Sequence, residues 1–174
     1  MITKPKLEDR PEQRYVGIRT QVPMSQFKKI IPQFLDELFA WLGKQEVDPA
    51  GAPFMRYHVI NMAGNMDVEL GVPVATVVRG DGRVAPGVIP AGRYATLVYS
   101  GVTGIKGNKT LIDWAVKNNI RWDRWNDENG DAFRARVEYF LTDPAEEPDR
   151  KKWETEVAIK VVDAQAQRCE DYSE

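Results

Sequence analysis

Strict alternation of side-chain type marks the stretch Trp153-Glu154-Thr155-Glu156-Val157-Ala158-Ile159-Lys160-Val161-Val162. Glu154, Glu156, Ala158 and Lys160 fall on one face. The other face carries Trp153, Thr155, Val157, Ile159 and Val161. This pattern predicts a strand with one face on a core and the other open to water or a cleft. The stretch has a counterpart at 66–74, where Glu69 occupies the same position as Glu156. The chain therefore reads as one module used twice.

Each predicted module contains a strand, a helix and two further strands. In the first half, strands are predicted at 13–20, 54–61 and 67–74, with a helix over 25–42 whose apolar residues recur every three or four positions. We expect Ser25 to cap this helix, Gly43 to end it and Pro32 to kink it or to follow a short first turn. The second half predicts strands at 92–100, 135–141 and 153–162 and a helix over 108–119.

The repeated β-α-β-β order favours an α+β fold in which helices cover one face of antiparallel sheets. We expect a pseudo-twofold axis between the modules and a central cleft formed by their helix-free faces. The predicted organisation is a single domain over 1–174. It comprises repeat 1 at about 13–75, a linker at 76–91 with a short strand near 76–78, repeat 2 at about 92–162 and a polar tail at 163–174.

Composition excludes several classes of protein. The chain has 24 basic and 26 acidic residues, a net charge of -2, so we expect no direct binding to nucleic acid. It carries no predicted secretion signal and no apolar run of membrane-spanning length. Cys169 is the lone cysteine and cannot form an internal disulfide. We therefore expect a cytoplasmic protein with no membrane association.

Sequence motifs for cofactors and metals are absent. His58 and Cys169 are the lone histidine and cysteine, which excludes a conventional zinc set and leaves His58 as a structural residue. The glycine-rich segment 101–110 lacks the spacing of a phosphate-binding loop and is interpreted as a flexible entry to the second helix. The acidic segment 125–131 places Trp125 at the first ligand position of a calcium loop. We expect no metal and no cofactor.

Carboxylates and aromatic side chains on the repeated strands are the remaining candidates for function. The simpler interpretation makes the glutamates solvent-exposed strand residues and the tyrosines ordinary members of a sheet. The alternative is a pocket walled by rings around one buried glutamate of raised pKa, suited to flat, apolar or cationic molecules and to general acid–base chemistry. Its candidate ligand-binding residues are Glu156, Tyr57, Tyr139, Glu138, Trp125, Trp122 and Tyr99.

The chain resembles the GyrI-like family of small-molecule effector-binding domains, which also occur in multidrug-sensing activators. The matching segments are Gly51-Ala52-Pro53-Phe54 leading into Tyr57, 67–74, 89–96, 138–144 and 155–157. The resemblance implies paired modules around a ligand cleft, with Glu156 reaching into it and Tyr57 and Tyr139 on its walls. Glu154 shares the face of Glu156 and is its rival for that role. Lys160 and Val102-Thr103 depart from the family pattern.

The resemblance implies three kinds of function. No helix-turn-helix precedes residue 13, so we expect no direct control of transcription. The favoured hypothesis is a stand-alone protein that sequesters aromatic, apolar or cationic drugs or toxins. The alternative is a hydrolase of cyclopropane-bearing DNA alkylators, in which Glu156 or Glu138 activates water and a tyrosine assists. A protein partner such as gyrase is the third.

Overall fold

A computed structural model describes residues 1–163 of the chain, so Cys169 and the predicted polar tail beyond Asp163 lie outside the described residues. The strands are β1 Lys6–Arg10, β2 Gln13–Val22, β3 Phe54–Ile60, β4 Met66–Pro73, β5 Ala85–Ile89, β6 Gly92–Ser100, β7 Arg124–Asp127, β8 Gly130–Phe133, β9 Arg136–Phe140 and β10 Glu154–Lys160. The helices are α1 Phe27–Lys44 and α2 Gly104–Lys117, with single 3-10 turns at Met24–Gln26 and Arg150–Lys152.

The strands form one sheet of ten strands in which the pairs are antiparallel. Its main order is β1-β6-β10-β9-β3-β4-β2-β5, with the β7–β8 hairpin attached to β3 through β8. The predicted α+β class is confirmed, but the two modules share a continuous sheet instead of contributing separate ones. They meet at β3 and β9, the middle pair, where Met55 lies opposite Glu138.

The outermost strands are exchanged between the modules. β1 precedes the first module in sequence but pairs with β6 of the second. β5 precedes the second module but pairs with β2 of the first. The predicted linker at 76–91 is therefore wrong over Ala85–Ile89, which forms a sheet edge. Sequence alone missed both strands because they are five residues long and lack a simple apolar alternation.

Two helices cover one face of the sheet, which is called here the helix face. The apolar stripe of α1 packs on β2 and β4, and α2 packs on β6. The buried side chains of α1 are Ile30, Phe34, Leu38 and Leu42, and those of α2 include Leu111 and Ala115. Because the helices lie over opposite halves, the central strands β3 and β9 lie between them, and the surface of the helix face over these two strands is called here the inter-helix groove.

The opposite face is called here the open face, and its centre is also buried. Tyr15, Phe54, Tyr94 and Ala158 belong to a separate apolar cluster on this side, although no helix covers it among residues 1–163. The strands twist and curl around these rings. The Tyr15 and Phe54 rings meet edge to face with centroids 5.0 Å apart.

Several local predictions differ from the structure. Ser25 lies in a 3-10 turn and makes no capping hydrogen bond, because α1 begins two residues later at Phe27. Gly43 lies inside α1, which ends at Lys44, and Pro32 is accommodated within the helix. The second helix begins at Gly104, inside the segment interpreted as a flexible loop. Residues 76–78 form no strand.

The chain between α2 and β9 forms the β7–β8 hairpin, with Glu128 and Asn129 in its turn and Gly130 as the first residue of β8. Gly130 has a φ of 142°, which favours glycine at this turn. Neither helix within residues 1–163 is long and apolar enough to cross a membrane.

Substitution of Gly71 by alanine measures how tightly the open face is packed. A Cβ atom at this position would lie 2.4 Å from the ring of Phe54. We expect Gly71→Ala to lower the free energy of unfolding by about 1–3 kcal/mol, because the buried ring has to shift. Urea denaturation followed by circular dichroism measures the change.

Gly43→Ala is the matched control, because a Cβ there meets nothing within 4 Å. We expect this helical substitution to raise the free energy of unfolding by about 0.5–1 kcal/mol. Equal effects of the two substitutions would contradict the tight contact between Gly71 and Phe54.

Candidate functional site

The predicted site residues are distributed over both faces of the sheet. Glu156 and Tyr139 lie on the open face, together with Glu69. Tyr57, Tyr99 and Glu138 lie on the helix face, because they alternate with the open-face residues of β3, β6 and β9. The predicted pocket residues therefore do not form one cluster.

On the open face, the Glu156 carboxylate already has a counter-ion. The Arg10 guanidinium lies 2.8 Å from its Oε1 and also pairs with Glu8. Arg10 stands 5.9 Å from the centroid of the Tyr139 ring. Burial, moderated by Arg10, raises the pKa of Tyr139 to about 12, so its hydroxyl stays protonated near neutral pH. Arg10 was not among the predicted site residues, because the sequence pattern does not indicate strand β1.

Glu69, the counterpart of Glu156, is also satisfied within the protein. Its side chain accepts a hydrogen bond of 2.6 Å from the Tyr15 hydroxyl and lies 2.9 Å from His58 Nε2. The Arg56 guanidinium donates to the same Tyr15 hydroxyl at 3.0 Å. Burial by itself favours a higher pKa for Glu69. The hydrogen bonds from His58 and Tyr15 outweigh this effect, so the pKa of Glu69 lies below its usual value.

A cavity of about 410 Å³ opens beside this network. Tyr94, Tyr139 and Ile89 line it together with Arg10, Gln13 and Arg14. The Tyr139 hydroxyl donates a hydrogen bond of 3.3 Å to Gln13 Oε1 across its wall. The exposed Glu12 also lines the cavity, which thus combines two rings with two guanidinium groups and one carboxylate.

On the helix face, Glu138 stands at the centre of the inter-helix groove. The Tyr57 hydroxyl donates to its Oε2 at 3.2 Å, and Asn108 Nδ2 on α2 donates to its Oε1 at 3.0 Å. Both partners are uncharged. Among residues 1–163, no lysine, arginine or histidine lies within ion-pair distance of this half-buried carboxylate.

Aromatic rings flank Glu138 on the helix face. Tyr57 packs against Phe27 at the start of α1, with ring centroids 6.2 Å apart. Tyr99 lies under the first turn of α2, where Gly104 permits close approach: a Cβ there would be 3.0 Å from the Tyr99 hydroxyl. Burial and the nearby Glu138 charge raise the pKa of Tyr57 well above its usual value and that of Tyr99 to about 12. Both hydroxyls are therefore hydrogen-bond donors near neutral pH.

The two tryptophans and Glu154 lie apart from these groups. Trp122 packs on the core beneath α2, and its backbone bridges to Val161. Trp125 is 43% exposed on the β7–β8 hairpin, with the Arg134 guanidinium 4.8 Å from its ring. Glu154 is at the start of β10, where its backbone N–H donates to Thr142 Oγ1. Within residues 1–163, no group of three His, Cys, Asp or Glu side chains is arranged to hold a metal ion.

Two further residues of the groove were missed by sequence reasoning. Asn108 was placed at a loop–helix boundary, so its position one turn into α2 and above Glu138 was not foreseen. Arg136 lies two residues before Glu138 on β9 and donates to Asn108 Oδ1 at 3.1 Å. The two-residue spacing places both on one face of a strand, a signal that was available in the sequence.

The Glu69 network predicts a component of acid stability. The pKa of Glu69 in the folded protein is lower than the value of about 4.3 for a glutamate in the unfolded chain. The ionised carboxylate therefore stabilises the fold above about pH 4.3, and this stabilisation is lost as the pH falls through the folded-state pKa. We expect Glu69→Gln to flatten the decline of unfolding free energy below about pH 4.3. Urea denaturation at a series of pH values measures the free energy of unfolding, and Glu128→Gln at an exposed position is the control. An unchanged slope in Glu69→Gln would contradict the assignment.

Comparison with known structures finds the same fold in proteins of distant sequence. The EcmrR regulator in its DNA complex aligns with 91% of this chain at 22% identity and a TM-score of 0.70, and the chain spans 57% of that protein. The isolated EcmrR C-terminal domain aligns over 92% of this chain and 98% of its own length, at 22% identity and a TM-score of 0.68.

A hydrolase from Listeria innocua aligns over 91% of this chain and 92% of its own, at 12% identity and a TM-score of 0.62. No curated protein has a significant match to the sequence. Residues 3–162 match the sequence profile of the GyrI-like small molecule binding domain. The chain therefore belongs to the GyrI-like family.

Proposed function

We propose that this protein binds and sequesters aromatic small molecules in the inter-helix groove. Glu138 serves as the acceptor for a cationic or hydrogen-bond-donating group of the ligand. The observation that carries the proposal is that, within residues 1–163, the Glu138 carboxylate accepts hydrogen bonds from the neutral side chains of Tyr57 and Asn108 and forms no ion pair. A half-buried carboxylate with spare acceptor positions gains most from a donor brought by a ligand.

The other two glutamates are poorer candidates for this role. A cation approaching Glu156 has to compete with Arg10, and one approaching Glu69 has to compete with His58 and Tyr15. Breaking such pairs leaves a charge without a partner, which is costly in a partly buried site. Glu138 is therefore favoured over Glu156, the residue that the family resemblance implied.

The groove also has the rings that hold flat molecules. Tyr57 and Phe27 lie on the side of α1, and Tyr99 lies on the side of α2. Stacking and cation–π contacts with such rings contribute about 0.5–2 kcal/mol each. At the start of α2, Val102 and Ile105 are 96% and 89% exposed, which places apolar side chains near this end of the groove. These contacts support ligands with an apolar aromatic body.

Glu138→Gln tests the acceptor directly. We expect it to weaken binding of tetraphenylphosphonium about tenfold or more, because the cation loses its counter-charge while the shape of the site is kept. Isothermal titration calorimetry measures the affinity. Glu156→Gln is the matched control and is expected to change the affinity less than about twofold, because Arg10 already neutralises that carboxylate.

The reverse pattern, with a large loss in Glu156→Gln and none in Glu138→Gln, would move the site to the open face. Absence of measurable binding in the unmodified protein to this cation and to a panel of flat aromatic cations would overturn the proposal.

A hydrolase is the second candidate, because Tyr57 donates its hydroxyl hydrogen bond directly to Glu138. In this proposal Glu138 takes a proton from water as the water oxygen bonds to a cyclopropane carbon of an alkylator. The strained C–C bond breaks, and its electron pair moves to the conjugated carbonyl oxygen. That oxygen takes a proton from Tyr57, whose raised pKa keeps it protonated beforehand.

Mass spectrometry of a cyclopropane-bearing alkylator incubated with the protein separates the two candidates. The hydrolase proposal expects many equivalents of ring-opened product and a loss of at least about 100-fold in Glu138→Gln. One equivalent or less per protein would exclude turnover of that substrate and leave the binding proposal standing.

A further inference from the structure

Arg136 places a second unpaired charge in the groove. It lies on the helix face of β9, two residues from Glu138 and half-buried. Its guanidinium donates one hydrogen bond to Asn108 Oδ1 and stacks 4.9 Å from the centroid of Phe133. Within residues 1–163, no carboxylate is within ion-pair distance of Arg136. Burial lowers the pKa of this guanidinium, the nearby Glu138 charge acts in the opposite direction, and the group stays charged near neutral pH.

Several other arginines have a carboxylate partner, whereas half-buried Arg56 on the open face, like Arg136, forms no ion pair within residues 1–163. Arg10 pairs with Glu156 and Glu8, and Arg19 pairs with Asp67 through two hydrogen bonds. Arg83 pairs with Glu37 and is largely exposed to water. Arg136 is less exposed than Arg19 and Arg83, and its hydrogen-bond partner within residues 1–163 is an amide.

Asn108 holds the two opposite charges of the groove apart. Its Nδ2 donates to Glu138 at 3.0 Å and to the Gly104 carbonyl oxygen at 2.9 Å, while its Oδ1 accepts from Arg136. The amide orientation is the one that satisfies all three contacts. The bond to Gly104 fixes the side chain to the first turn of α2. Glu138 and Arg136 are thus linked through an amide instead of closing on each other.

Each charge therefore keeps unused hydrogen-bonding capacity. A guanidinium has five N–H donors, and Arg136 uses one of them on a protein acceptor. Glu138 and Arg136 act on each other electrostatically but form no direct ion pair, so a ligand that pairs directly with each of them adds charge-assisted hydrogen bonds. A ligand bearing a lone positive charge pairs with Glu138 but meets repulsion from Arg136. A ligand bearing both charges satisfies both residues.

Resting on the proposed binding site, we infer that the preferred ligands are zwitterionic aromatic molecules, with a cationic group for Glu138 and a carboxylate or other planar anion for Arg136. The planar fork of a guanidinium matches a carboxylate through two parallel hydrogen bonds. The site therefore selects amphoteric compounds over simple lipophilic cations of the same aromatic body.

A zwitterionic rhodamine with a free benzoate and its methyl ester test this inference. The two dyes share the cationic xanthene and differ by one negative charge. Fluorescence anisotropy with the full chain is expected to give an affinity about tenfold higher for the free acid than for the ester. Arg136→Met, which keeps the apolar stem on Phe133, is expected to abolish that preference and to tighten binding of the ester. Arg136→Lys is expected to keep part of it.

The outcomes distinguish this inference from the proposed function. If both dyes bind with equal affinity and Glu138→Gln weakens both, the binding site stands and the zwitterion preference is overturned. If neither dye binds, the proposed site and this inference both fail. A preference for the free acid that survives in Arg136→Met also overturns the inference, and circular dichroism of that variant confirms folding. The comparison of the two dyes on the unmodified protein stays decisive even if a variant fails to fold.

Discussion

The pairing of β3 with β9 is the contact on which the rest of the molecule depends. Three residue pairs, from Phe54–Tyr139 to Arg56–Val137, join the two modules into one sheet. Alternation along these two strands sends Phe54, Arg56 and Tyr139 to the open face and Tyr57 and Glu138 to the helix face. A slip of one residue would exchange the two sets and leave charges in the open-face core.

The positions of the two helices determine which strands of the helix face stay uncovered. Each helix buries its stripe on the outer strands of its own module, so β3 and β9 remain between them. Polar side chains are tolerated there because the site is only half-buried. On the open face the sheet curls over its own rings, and the carboxylates there need internal partners. The same alternation thus produces a neutralised face and a face with unpaired charge.

Most of the fold could be predicted from the sequence, but less of the candidate site could. The alternation of β10 and the apolar stripe of α1 both appear in the structure, because each follows from a regular repeat of buried side chains. Tyr57, Tyr99 and Glu138 were among the predicted candidates and do meet in the groove. Their separation from Glu156 and Tyr139 was not foreseen, because a sequence pattern assigns faces within a strand but does not assign partners across distant strands. The counter-ion Arg10 came from an exchanged strand of five residues.

The exchange of β1 and β5 ties the two modules together more strongly than the central pairing alone. Each module completes its sheet with a strand from the chain segment preceding the other module. A cut in the segment 76–84 would leave two fragments, each holding the edge strand that the other requires. We therefore expect each half to lack an edge strand when alone and to regain it when the two fragments are mixed. The same arrangement is consistent with duplication of one ancestral module, in which the strand preceding each copy pairs with the other copy.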